Sequence, residues 1–243
     1  MTREHDMIVI EIGPQQATYR IHKALLLHHS DYFRKALQQC WKEGEERRVI
    51  IDDFEEPAFD VFVEWLYAGN IPQFAEDWLQ REPQEERARY SCRMNLLRLK
   101  AYVVADRLGA EKFLNDINNH IVDYHIESPP WYESIIYAFE NIPSERRILG
   151  MLVDAHCTYS EEEGDQVLES EVALQSRLPY DFLLRVMRRY RQTRETGLGT
   201  RISLHATTMS MHLRRKGRSA KETRRRKMPE LRGEIAYRGP IGW

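Results

Sequence analysis

The residues with the most capacity for chemistry sit close together near the start of the chain. The stretch "IHKALLLHHSDYF" (21–33) holds His22, His28 and His29 within eight positions. Clustered imidazoles can hold a metal ion or pass protons at neutral pH. The spacing argues against both. His28 and His29 are sequence neighbours, so on a helix their side chains leave the axis about 100° apart. A structural zinc needs four convergent ligands, and the nearest cysteine, Cys40, stands alone. The three histidines are therefore expected to pack and to hydrogen-bond, with no metal.

The other reactive residues form no catalytic set. Cys157 follows His156 directly, but nucleophile and base are normally brought together in space and not by adjacency. The chain has no Gly-rich phosphate loop, no HExxH and no GxSxG. Neither catalytic residues nor cofactors are expected, and the chain is read as a non-enzyme. The carboxylates Glu45, Glu46, Asp52, Asp53, Glu55 and Glu56 read as a solvated acidic face, or as a surface for a basic partner.

The elements that would position these residues follow from periodicity. "MIVIEIG" (7–13) and "ATYRI" (17–21), split by Gly13-Pro14, predict a hairpin. "HKALLL" and "SDYFRKAL" predict two short helices, with Ser30 capping the second and Phe33 and Leu37 on one face. "RRVIID" (47–52) returns to strand character. Pro57 opens a helix in which Phe59, Phe62, Val63 and Leu66 form the buried stripe, ending near Gly69-Asn70. Residues 72–90 are highly charged and read as an exposed insertion. Residues 96–126 read as helical with a break near Gly109. Further amphipathic helices are predicted over 131–142, 145–159 and 179–192. The result is an α+β domain with a three-stranded sheet, then a helical extension, then a basic, disordered tail.

Composition fits that picture. The chain has 243 residues, 42% apolar and 30% charged, ordinary for a globular protein. No run approaches the roughly 18 apolar residues of a membrane span, and "MTREHDM" predicts no secretory leader. Three scattered cysteines fit reduced thiols of the cytosol or nucleus. The net charge of −2 conceals an asymmetry: residues 211–243 carry eleven Lys/Arg against three Asp/Glu, leaving 25 basic and 35 acidic residues in 1–210.

The order of elements resembles the BTB/POZ domain over about residues 6–120, in a style similar to that of fungal members. The slots that carry the likeness are Asp6, Tyr19, His22, Lys23, Leu25, Ser30, Phe33, Phe59, Phe62, Tyr67 and Gly69, followed by "LRLKAYVVADRLGAEKF". The resemblance implies a BTB-like domain over 1–120, a helical extension over 121–192 and the tail from 193. It implies self-association as a homodimer, or pairing with another BTB protein, across a face that includes Leu25. It also implies a charged pocket made by Asp6, His22 and Lys23. By likeness to BTB adaptors of cullin-based ubiquitin ligases, the hydrophobic-x-Glu docking element falls eight residues before Val49, on Trp41 and Glu43, with an unidentified substrate bound elsewhere. In the tail, Arg214, Arg215 and Lys216, then Arg224, Arg225, Arg226 and Lys227, resemble a bipartite nuclear import signal. The competing view is a tail that touches nucleic acid only nonspecifically, through phosphates. A nuclear or cytoplasmic location follows.

Overall fold

The computed structural model describes residues 7–37, 47–71, 87–159 and 169–196. Strands β1 (Met7–Ile12) and β2 (Ala17–His22) form the expected hairpin, with Met7 opposite His22 and Ile12 opposite Ala17. Gly13 opens its turn at φ +70, where a Cβ would lie 3.0 Å from the Phe54 carbonyl oxygen, so both conformation and space call for glycine. Strand β3 (Arg48–Ile51) lies parallel to β1 on its other side, giving the order β2-β1-β3. Alternate side chains, Ile8, Ile10, Ile12, Ile21, Val49 and Ile51, are buried, as the two-residue strand period requires.

Helices α1 (Lys23–His29) and α2 (Asp31–Ala36) follow the hairpin. Ser30 between them is wholly buried. Its Oγ accepts from the Phe33 amide at 3.2 Å and donates to the Leu108 carbonyl at 2.6 Å. Phe33 and Leu37 are buried on one face, as the spacing predicts.

Helix α3 (Glu56–Ala68) has Pro57 in its first turn and a left-handed Gly69 at its end, whose amide donates to the Trp65 carbonyl at 2.7 Å. Its buried face is Ala58, Phe59, Val61, Phe62, Trp65 and Leu66. Val63, expected in the stripe, is only half-buried. The face is wider than the spacing indicated because sheet and helices enclose it from two sides. Ring centroids 4.9 Å apart join Tyr19 to Phe59, and 5.4 and 5.0 Å join Phe62 and Trp65 to Phe113.

Helix α4 (Arg87–Arg107) begins nine residues before the helix expected at 96, so residues 87–90 of the expected insertion are helical. Residues 72–86 lie outside the described residues. A tight turn at Leu108-Gly109 leads into α5 (Glu111–His125), across which the expected boundary after residue 120 falls. The carbonyls of Gly109 and Leu108 accept from the amides of Asp31 and Tyr32 at 3.4 and 3.1 Å.

The extension consists of α6 (Tyr132–Asn141), α7 (Arg147–Tyr159), α8 (Glu169–Leu174), a 3₁₀ turn at Gln175–Arg177 and α9 (Tyr180–Thr196). The sequence reading missed α8 and the 3₁₀ turn, and α9 continues four residues past 192. Ile135, Val153, Cys157 and Phe182 make a second core, flanked by Tyr132, Phe139, Leu178 and Val186. Helix α4 joins the two cores, packing against α3, α5 and α6. No described helix is long and apolar enough to cross a membrane. The structure is thus the α+β arrangement expected, a small mixed sheet with helices around it.

Candidate functional site

The expected charged pocket is described in part. His22 ends β2 and caps α1 with extended backbone. Its Nδ1 lies 2.9 Å from the Tyr67 hydroxyl, its amide donates to the same oxygen at 3.3 Å, and the two rings meet edge to face at 5.8 Å. Tyr67, near the end of α3, is thus the partner that fixes His22. Lys23 and Leu25 follow on α1 and are half-buried. Asp6 lies outside the described residues. Helix geometry divides the three leucines: Leu26 points inward and is 0% exposed, while Leu25 and Leu27, about 100° to either side, are only half-covered.

His28 and His29 pack edge to face with centroids 4.5 Å apart, and His29 continues onto Trp65 at 5.0 Å. Burial, then the nearby His28 and Lys112, hold the His29 pKa below the usual range. Among the described residues no group of three His, Cys, Asp or Glu side chains converges in a way that could hold a metal. Cys157 sits in the second core, where burial pushes its thiol up to about 11. His156, between Tyr132 at 6.0 Å and Phe182 at 5.2 Å, is lowered by burial. The raised thiol is held in its protonated, less nucleophilic form.

Two of the acidic residues are tied to α4. Glu55 accepts from Lys100 Nζ at 2.6 Å, and Asp53 is hydrogen-bonded to Arg107. Asp52 and Glu56 are exposed. Trp41, Glu43, Glu45 and Glu46 lie outside the described residues, as do Arg214, Arg215, Lys216, Arg224, Arg225, Arg226 and Lys227.

Sequence reasoning missed a buried polar cluster between α4 and α5. His125 is 0% exposed. Its Nδ1 lies 2.9 Å from the Ser128 carbonyl, which can only accept, so Nδ1 carries the hydrogen. Nε2 is then free to accept from Asn95 Nδ2 at 3.0 Å. Burial first, with Arg98 adding, lowers the pKa of both His125 and His120 to about 4. Arg98 stacks over the Tyr124 ring at 4.3 Å. Asn95 and Arg98 inside the mostly apolar "MNLLRLKAYVV" were the available signal. Nearby, a cavity of about 450 Å³ opens between α4, α5 and α7, lined by Tyr124, Trp131, Tyr132, His156 and Tyr159 among others. Glu171 of α8 closes one wall. It accepts from the Tyr132 amide at 2.5 Å, capping α6 from another helix, and burial raises its pKa despite that bond.

Residues 5–81 match the family model of the BTB/POZ domain. No curated protein matches the chain.

Proposed function

We propose that the chain, whose residues 5–81 match the model of the BTB/POZ protein-interaction domain, forms a homodimer, or pairs with another BTB protein, across the α1 face. The observation that supports this is the division within α1. Leu26 is in the core, but Leu25 and Leu27 keep exposed surface that a second subunit would cover at about 25 cal/mol per Å². His22 and Lys23 at the start of the same helix, with Asp6, would give that face its charge. Within this role the chain serves as an adaptor: Trp41 would fill a groove on a cullin while Glu43 accepts hydrogen bonds, and the helices beyond α4 would carry the substrate. The charge asymmetry favours a second reading, in which the tail clusters direct nuclear import of a BTB scaffold and contact nucleic acid only through phosphates.

Sedimentation of the full chain at micromolar concentration tests the first step. The wild type is expected as a dimer, and Leu25→Asp combined with Leu27→Asp as a folded monomer. A wild-type monomer would remove the dimer and leave the domain standing.

A further inference from the structure

Helix α9 has two apolar sides. On one, Phe182 is wholly buried in the second core with Val186 packed beside it. Arg189 Nε reaches Asp154 at 2.9 Å and Arg185 donates to the Ser144 carbonyl at 2.9 Å, so this side is seated on the extension. About 100° round the helix, Tyr180, Leu183, Met187 and Tyr190 recur at intervals of three, four and three. They are 79%, 42%, 56% and 36% exposed. Tyr190, whose hydroxyl reaches Cys157, closes the stripe. That interval pattern is the seam along which two helices interlock. Arg188, Arg191 and Arg194 border it, are exposed, and form no ion pair among the described residues. Helix α9 as a whole holds five arginines against Asp181 and Glu195.

We propose that this seam docks an acidic amphipathic helix of another protein. The partner's apolar positions would lie along Tyr180, Leu183, Met187 and Tyr190, with its carboxylates against Arg188, Arg191 and Arg194. Charge selects this occupant. A second copy of α9 would set arginine against arginine, and the chain's own residues 211–243, with eleven Lys/Arg and three Asp/Glu, carry the wrong sign. A bilayer surface needs a broad apolar face, whereas part of α9's circumference is committed to the second core. Paired guanidinium–carboxylate contacts flanking an apolar seam set both partner choice and orientation. Helix α9 is remote in sequence from α1, and its seam is independent of dimerisation and of cullin binding.

The test uses the full chain and a fluorescent synthetic helix of about three heptads, with Leu at the a and d positions and Glu at e and g. A twin peptide carries Lys in place of Glu. Anisotropy should show the acidic peptide binding at least about tenfold more tightly than its twin. Leu183→Ser with Met187→Ser should weaken the acidic peptide by a further tenfold or more, with circular dichroism unchanged because both residues are exposed. Arg191→Glu with Arg194→Glu should reverse the preference between the peptides. Equal binding of the two peptides, or no loss in the serine variant, overturns the proposal. So does binding to phosphatidylserine vesicles that the serine variant loses without any peptide binding, which would assign the seam to a lipid surface. Dissociation of a dimer by the serine variant would assign it to a second copy, and also overturns it.

Discussion

His125 makes acid stability a sharp test of the buried polar cluster. In the folded chain its ring is neutral, with Nδ1–H held by the Ser128 carbonyl and Nε2 accepting from Asn95. Its pKa is lowered to about 4, against about 6.5 in an unfolded chain. Between those values the unfolded state binds the extra proton, so stability must fall as pH drops through the window and level off below about 4. At pH 5 an unfolded histidine is almost fully protonated and a folded His125 still mostly neutral. The linkage integral from pH 7 to pH 5 then amounts to about 2 kcal/mol from this residue. The assay is urea unfolding at the two pH values for the wild type and for His125→Asn, whose amide can still donate to Ser128. The variant will be less stable at pH 7, having lost a ring and a bond to Asn95. The informative quantity is the change with pH, which should be smaller than in the wild type by about 2 kcal/mol. Proton NMR titration of the wild-type ring gives the same information without a mutation. An identical pH dependence in the variant, or a ring that titrates near pH 6.5, would refute the reasoning.

Phe62→Ala should cost about 3–5 kcal/mol, because Phe62 is 0% exposed and lies 5.6 Å from Phe59 and 5.4 Å from Phe113; a cost below about 1 kcal/mol in urea unfolding would show that the ring is not in the core. For the adaptor role, Trp41→Ala with Glu43→Ala should abolish recovery of a cullin while the melting temperature holds. Losing an aromatic anchor costs about 2 kcal/mol or more, roughly thirtyfold in affinity; unchanged recovery would eliminate the docking element.

Where one side of an element meets the core and the other meets water, the pattern was readable. The hairpin, the Ser30 cap and the helix end at Gly69 are local events, each decided by a few neighbouring residues. Helix α4 was legible only from residue 96 onward, and its first nine residues were not. It is packed by three helices, so Asn95, Arg98 and Leu97 are all buried and no polar face marks the period. Its charged first turns, "RARYSCR", looked like a continuation of the insertion. Glu171 was invisible for a different reason: it caps the helix that begins at Tyr132, 39 positions away in sequence, and no local rule links them. For the candidate interface, the sequence indicated His22, Lys23 and Leu25 through family likeness. The bond that fixes His22 to Tyr67 emerged only once α3 was folded across α1.

The contact between α2 and the Leu108-Gly109 turn bears on how such a chain can be inherited. The first amides of any helix lack partners within it. Here those of Asp31 and Tyr32, with the hydroxyl of Ser30, are answered by the carbonyls of Gly109 and Leu108, the latter 78 positions downstream of that serine. A gene fragment ending at residue 81, where the family match ends, would encode the donors and omit the acceptors, along with the Phe113 ring that Phe62 and Trp65 touch. A cut at that edge would strand the buried Ser30 hydroxyl, at about 1–3 kcal/mol. Between the mutually dependent pieces, lengthening a connection costs entropy only logarithmically, so an insertion there is cheap while a cut is not.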